Sequence, residues 1–368
     1  MTAGRTLAVA GVGLIGGSVA LGAREHGLAS RVVGFDRDPR SLDAAVALGA
    51  IDEARLEPGD WLAEVDLLVL AAPTRELPHI AGALLPHLRP SAVVTDVGSV
   101  KAPVVEAVSA VRWPGGPGRF VGGHPMAGSE RAGVVNADPG LLENAVWVLT
   151  PVPETDPDAL EAVRSLVTGL GARVLETAPA KHDELVAAVS HLPYLAAVAL
   201  TTLMDEGEDR GLKALLAAGG FRDLTRVASG DPRMSRDMVA ANAGPVREAL
   251  HAFKRALAEL EEALDDPDAL LARAEAAKRA RDAVPVVKRG LLASRWELVV
   301  AVQDRPGEFA RITAALAEAS VNIKDLEVLS VRESGGAVRL AFEDPTAQEA
   351  GRRALEAVGY KVRSRNGS

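Results

Sequence analysis

The chain is expected to be an α/β protein: a doubly wound sheet first, an all-helical segment second, and a small βαββαβ unit last. Three observations predict this. Short apolar strand-like runs alternate with helical stretches through the first half, the pattern of a parallel sheet with crossover helices. From Lys181 onward, long Ala- and Leu-rich helical patterns take over with few strand signals. Past Pro285 and the Lys288-Arg289-Gly290 break, strand-like runs return around two helical stretches. The boundaries this sets are 1–178, 179–293 and 294–368, and a length of 368 residues suits such a division.

Composition narrows the function classes. Net charge is −9, which disfavours a non-specific nucleic-acid surface. No cysteine is present, so disulfides, thiol catalysis and cysteine-ligated zinc are excluded, and no metal site is expected. No run of about 18 apolar residues is read, and the start, Met1-Thr2-Ala3-Gly4-Arg5, lacks a signal-peptide core. A cytoplasmic enzyme without membrane or nucleic-acid partners is the expectation.

Thr6 to Ala10 reads as a strand, followed by Gly11-Val12-Gly13-Leu14-Ile15-Gly16 and a helix from Ser18 to about His26. This is the G-x-G-x-x-G turn of a Rossmann-like dinucleotide site. Gly11 makes the turn, Gly13 lets a pyrophosphate approach the backbone, and Gly16 lets helix and strand pack closely. A second strand, Arg31 to Phe35, ends in Asp36, twenty residues after Gly16. An acid there binds the ribose hydroxyls and repels a 2′-phosphate, which favours NAD over NADP, although neighbouring Arg37 leaves room for the latter.

Further strands are read at Asp66 to Ala72, Ser91 to Val97, Arg119 to Val121, Ala145 to Thr150 and Arg173 to Glu176. In doubly wound sheets ligands sit at the carboxyl ends of the strands. Thr74, Ser99 and His124 all fall there. Cofactor binding is therefore assigned to Gly11, Gly13, Leu14, Ile15, Gly16, Asp36 and Thr74. His124 lies in Gly122-Gly123-His124-Pro125-Met126-Ala127-Gly128-Ser129-Glu130, where an imidazole, a hydroxyl and a carboxylate share a Gly/Pro-rich stretch. Such a stretch can be a plain turn with an incidental histidine. The shared placement of Thr74, Ser99 and His124 favours a catalytic loop instead.

The helical segment carries two more candidates. Ser190-His191-Leu192-Pro193-Tyr194 sets a proline in mid-helix, which kinks the helix and frees carbonyls. His191 is either packed in the core or used at a site. In Gly219-Gly220-Phe221-Arg222-Asp223-Leu224-Thr225-Arg226, the charged residues share helix faces. They form either a surface ion-pair ladder or a guanidinium grip on a substrate carboxylate.

Taken in order, Gly13-Leu14-Ile15-Gly16-Gly17-Ser18, Asp96-Val97-Gly98-Ser99-Val100-Lys101, Gly123 to Glu130, Ser190 to Pro193 and Gly220 to Arg226 resemble the bacterial prephenate dehydrogenases. The resemblance implies NAD-dependent oxidative decarboxylation of prephenate to 4-hydroxyphenylpyruvate on the route to tyrosine, and a homodimer formed through the helical domain. It implies that His124 accepts the hydrogen bond of the ring hydroxyl, that Ser99 orients that pair, and that Arg226 holds the ring carboxylate. Glu130 and Asp223 would help close the pocket, with His191 near cofactor and substrate. Two positions depart from the family pattern: Tyr194, where a second histidine is common, and Ser235, where a tryptophan is. Both bear on prephenate against arogenate. A broad cyclohexadienyl dehydrogenase is thus an alternative, and so is a β-hydroxyacid dehydrogenase using Lys181, although Ser190 to Pro193 would then have no role.

The tail reads as strand Trp296 to Val302, a helix opened by Asp304-Arg305-Pro306-Gly307, strands Leu326 to Val331 and Ala337 to Phe342, a helix from Pro345 to Val358, and a strand Lys361 to Arg363. This order resembles an ACT domain, a module that commonly binds amino acids between paired copies. Asp304, Gly307 and Asn322 are the candidate regulatory residues and tyrosine the candidate effector. A ferredoxin-like unit that only adds dimer contacts is the other reading.

Overall fold

In the computed structural model, residues 4–128, 132–284, 296–303, 305–332 and 335–366 are described. The chain divides into two compact units, Met1–Arg281 and Asp282–Ser368. The nucleotide-binding and helical segments expected from the sequence thus lie within one unit.

That unit begins with β1 (Thr6–Ala10), α1 (Leu14–Glu25), β2 (Arg31–Phe35), α2 (Pro39–Ala47) and β3 (Glu53–Arg55). Next come β4 (Leu67–Leu70), α3 (Leu77–Leu84), β5 (Val93–Asp96), α4 (Ala102–Ser109), β6 (Phe120–Pro125), β7 (Val146–Thr150), α5 (Pro157–Gly169) and β8 (Arg173–Glu176). The eight strands pair in the order β3-β2-β1-β4-β5-β6-β7-β8. The chain reverses direction across the sheet between β1 and β4, and this switch point opens the crevice that holds ligands in such sheets.

Both faces of the sheet are covered. Leu7, Val9, Val69, Val121, Trp147 and Leu149 pack with α1 and α5 residues such as Val19, Val163 and Leu166. Ala8, Leu68, Leu70 and Val94 pack on the other face with Leu77, Leu84, Val104 and Val108. Strands buried on both faces read as continuous apolar runs, which is why they were legible in the sequence.

Two features depart from the expected parallel sheet. β3 went unread because its three residues carry no apolar run. β7 pairs antiparallel with β6, then parallel with β8. A parallel neighbour needs a crossover helix, whereas the described residues of the link from β6 to β7 hold short 3-10 turns at Val134–Asn136 and Pro139–Leu142, packed on α1.

The helical part follows: α6 (Pro179–Val186), a π-helical turn (Ala187–His191), α7 (Leu192–Asp205), α8 (Arg210–Leu216), α9 (Gly219–Thr225), α10 (Pro232–Ala241), α11 (Ala243–Glu262) and α12 (Pro267–Asp282). Pro193 is accommodated by widening the helix. Its ring would strike the carbonyl four residues back, and the preceding turn opens so that the Leu192 N–H reaches the Ala187 carbonyl, five residues away. The Pro179–Asp205 stretch is 27 residues long and, by length and composition alone, apolar enough to cross a membrane. Ser190, His191, Pro193 and Tyr194 interrupt its apolar run, which hides this length in the sequence.

The second unit contains β9 (Trp296–Val302), α13 (Glu308–Glu318), β10 (Asp325–Arg332), β11 (Gly335–Phe342), α14 (Pro345–Ala357) and β12 (Val362–Asn366). Its antiparallel sheet has the order β10-β11-β9-β12, the βαββαβ arrangement expected. Leu298, Val300, Leu340 and Phe342 form its core with Ile312, Leu316 and Leu355 from the two helices.

Candidate active site

The glycine-rich turn has the shape a dinucleotide requires. Gly11 adopts a left-handed conformation (φ +98°), and a Cβ there would lie 2.5 Å from the Ala71 carbonyl oxygen. A Cβ on Gly16 would collide with the Gly11 carbonyl, so α1 packs directly on the turn. At Gly13 a Cβ would meet no atom within 4 Å. That open space lies at the start of α1, whose first turn has neither a side-chain cap nor an acidic residue. Free N–H groups beside open space fit a pyrophosphate. Leu14 and Ile15 begin the helix. Asp36 sits at the end of β2, where Oδ2 accepts the Val12 N–H (2.8 Å) and Oδ1 the Asp38 N–H (3.0 Å). The acid thereby ties the second strand to the glycine turn. We expect Asp36→Ala to weaken NAD binding and raise the NADP-to-NAD preference about tenfold, an effect of about 1.4 kcal/mol. Kd values for both cofactors check this, and an unchanged ratio would remove Asp36 from ribose recognition.

At the ends of β4 and β5, Thr74 and Ser99 meet. Their hydroxyls are 3.4 Å apart, and the Ser99 N–H donates to Thr74 Oγ1 at 3.3 Å. Ser99 makes no hydrogen bond to His124.

His124 belongs to β6 itself, paired with Val148 of β7, and does not sit in a loop beyond the strand. The preceding glycines therefore serve close approach: a Cβ on Gly123 would stand 2.6 Å from the Asp96 carbonyl oxygen. Beneath this strand Lys101 and Asp96, both fully buried, form an ion pair. Lys101 Nζ also donates to the Gly123 carbonyl (2.7 Å), while Asp96 accepts the Gly123 N–H (3.0 Å) and the Gly98 N–H (2.8 Å). The residue before His124 is thus held at both its polar groups. Burial pushes the Lys101 ammonium down, and Asp96 opposes it.

The partner of His124 is His182, on α6. His124 Nδ1 lies 2.8 Å from His182 Nε2, with the rings edge to face. His182 Nδ1 in turn lies 2.8 Å from Asp183 Oδ1. Asp183 also accepts the main-chain N–H groups of Lys101 (2.7 Å) and Ala102 (2.8 Å), at the start of α4. Asn242 donates to the Asp183 carbonyl (2.8 Å) and lies 3.2 Å from His191 Nδ1. His182, Asp183, His191 and Asn242 are all buried. The π-helical turn ends at His191, which is buried and joined to this network through Asn242.

Burial holds His124 well below the ordinary histidine range, reinforced by the nearby Lys101 cation and by His182 and His191. Burial also pushes His191 down to about 4, with Asp183 opposing and His182 reinforcing. At neutral pH both rings are uncharged. Part of His124 remains accessible to solvent, so a neutral imidazole is presented at the carboxyl end of β6, as a proton acceptor must be.

Other candidates lie apart from this cluster. Arg222, Asp223 and Arg226 are exposed, and their side chains make no hydrogen bond or ion pair among the described residues, so the surface ladder does not form. Arg226 opens a 3-10 turn that packs on α7. Tyr194 is half-buried on α7, and Ser235 is buried on α10. Two residues beyond it, Asp237 pairs with Arg75 (3.2 Å), linking α10 to the segment after β4. Glu130 lies outside the described residues, as does Asp304 in the tail. Gly307 caps α13 in a left-handed conformation (φ +89°), and Asn322 is exposed. The first turn of α13 already holds Glu308, whose carboxylate accepts the Tyr360 hydroxyl (2.8 Å). Asp96, Lys101, His182, Asp183 and Asn242 were not singled out from the sequence. The one signal was the acid and lysine framing Asp96 to Lys101.

Known families match all three segments. The family described as "Prephenate dehydrogenase, nucleotide-binding domain" matches residues 19–176 and its "dimerization domain" matches 178–272. The ACT domain family matches 296–359. A prephenate dehydrogenase of Bacillus subtilis is 33% identical over 96% of this chain and 96% of its own length. A cyclohexadienyl dehydrogenase of Zymomonas mobilis is 30% identical over 76% of this chain and 96% of its own. Among solved structures, prephenate dehydrogenase from A. aeolicus in complex with hydroxyphenyl propionate and NAD+ superposes with a TM-score of 0.71 at 33% identity, covering 76% of this chain and 98% of that one. Synechocystis arogenate dehydrogenase gives 0.67 at 33% identity, over 75% and 99%.

Proposed function

Because this chain belongs to the prephenate dehydrogenase family, we propose that it converts prephenate to 4-hydroxyphenylpyruvate and CO2 with NAD as oxidant, on the route to tyrosine. A neutral His124, backed by His182 and Asp183, carries this reading. The chemistry NAD supplies when bound is acceptance of hydride from the carbinol carbon. His124 takes the hydroxyl proton as the carbon–carboxylate bond breaks, its electron pair enters the ring, and the proton returns to the phenolic oxygen. Aromatisation drives the step, so positioning and proton handling are what the chain must provide. Arg226, with no side-chain partner among the described residues, is assigned to the ring carboxylate. At the carboxyl ends of β5 and β4, Ser99 is assigned to orienting the substrate hydroxyl and Thr74 to holding the cofactor when it is bound. His191, Tyr194, Asp223 and Glu130 are assigned to the pocket wall and its closure.

The division of labour follows the three segments: 1–178 for the cofactor, 179–293 for substrate and pairing, 294–368 for regulation. A homodimer is supported by apolar side chains left in solvent on α7 to α9, among them Leu203, Leu215, Leu216 and Leu224. Covering them with a second copy also accounts for an apolar helix in a cytoplasmic enzyme. The deciding assay is NADH formation from prephenate and from arogenate, each with NAD and NADP. Turnover of prephenate with NAD is expected, and turnover of neither substrate would sink the reading. Arogenate competes because of the departures at Tyr194 and Ser235.

Tyrosine is proposed as feedback inhibitor, held near Asp304, Gly307 and Asn322 between two copies of the tail. Allostery requires tyrosine to favour one of two states, so removing its site removes the coupling. A chain ending at Ala293 should keep prephenate turnover and lose tyrosine sensitivity. Full inhibition of the shortened chain would place tyrosine in the catalytic pocket.

A further inference from the structure

We propose that Asp183, acting through His182, fixes His124 as the Nδ1–H tautomer and so leaves its Nε2 lone pair free for the substrate hydroxyl. This rests on the reading of His124 as proton acceptor. Proton positions follow from the hydrogen bonds. Asp183 faces three nitrogens: the Lys101 and Ala102 main-chain N–H groups and His182 Nδ1. A main-chain N–H only donates, and an ionised carboxylate only accepts. The proton between Asp183 and His182 therefore lies on His182 Nδ1. In a neutral ring that leaves His182 Nε2 as a lone pair, so the 2.8 Å contact is made by a proton on His124 Nδ1. Among the described residues, His124 Nε2 has no protein partner. It is the nitrogen that remains for substrate.

The direction of this chain of bonds is set at its far end. Asp183 is held by main-chain groups at the start of α4, which do not reverse polarity, whereas two linked imidazoles alone could hold their shared proton either way round. When His124 accepts the hydroxyl proton at Nε2, the Nδ1 proton stays where it is. The imidazolium then faces the neutral His182 ring with the Asp183 carboxylate behind it, which offsets the repulsion from the buried Lys101. His182 and Asp183 are positioning residues, since neither touches the reacting atoms.

The test reads the tautomer directly. Full-length enzyme labelled with 15N-histidine gives ring nitrogen-to-carbon-proton correlations, and His124 is assigned by the signal lost in His124→Asn. Wild-type enzyme should show the proton of His124 on Nδ1, and a proton on Nε2 would overturn the proposal without any assay of activity. In Asp183→Ala the acceptor that fixes the proton on His182 Nδ1 is removed, and the His124 proton should no longer be confined to Nδ1. With the KM for prephenate and NAD kept, kcat should fall by up to about 10⁴-fold, the loss a wrong tautomer causes in a serine protease triad. An Asp183→Ala variant whose His124 proton stays on Nδ1 alone, or one with a redistributed proton and unchanged kcat, would also overturn it. Loss of activity in His124→Asn bears on the catalytic role, and the wild-type spectrum bears on the tautomer alone, so the two failures can be told apart.

Discussion

Replacing His124 with Asn should lower kcat for prephenate by about 10²- to 10⁴-fold, the usual contribution of a positioned general base. The amide keeps a hydrogen-bonding group of similar size next to His182 but cannot take a proton, so the KM for prephenate should change little. Wild-type enzyme should show a matching pH signature. Burial, Lys101, His182 and His191 all hold the charged form of His124 down. Activity is lost only once this ring is protonated, so kcat should stay level as pH falls through 6.5, where an unperturbed histidine titrates, and decline below it. Near-normal kcat in the variant would reduce His124 to a structural residue of β6. Steady-state rates of NADH formation across pH decide both points.

Replacing Arg226 with Ala should act on binding. A guanidinium paired with a carboxylate in a closed site is worth about 2 to 5 kcal/mol on truncation, and the lower figure is about 30-fold in affinity. Arg226 is exposed and has no side-chain partner among the described residues, so the variant disturbs no ion pair there and should fold normally. The KM for prephenate should rise about 30-fold or more while the Kd for NAD stays close to wild type. An unaltered KM would take Arg226 out of substrate recognition and leave it a surface cation.

The parts of this fold that were legible in the sequence are those governed by local signals. Doubly buried strands, the Gly11 to Gly16 turn and the tail's βαββαβ order each carry their own pattern. The reversal at β7 was not legible, because it depends on what a linker lacks, and the residues from Met126 to Ala145 look like any loop. At the site, His124 was found from its glycine and proline neighbours, although Gly122 admits Thr150, Gly123 admits Asp96, and neither is a hinge. His182 and Asp183 stand in an ordinary helix, Pro179–Val186, with no motif around them. Only their meeting with Lys101, Ala102 and His124 gives them meaning. Similarly, Pro193 signalled a helix defect, and the π-helical form it takes depends on the backbone's room to widen.

Those meetings also bear on how the enzyme comes into being. His124 and His182 are 58 positions apart, and Asp183 reaches the main chain of Ala102 and Lys101 across 81 and 82. Contacts of such sequence separation incur the loop-closure entropy before they yield any stabilisation, and they form late in folding. The strands β1 to β6 can pair, and the glycine turn can take shape, while the chain beyond β8 is still undocked. On a ribosome the same order is imposed by synthesis, since α6 emerges after the entire sheet. The cofactor cradle therefore needs only the sheet and its glycine turn, whereas the setting of His124 needs α6 docked as well.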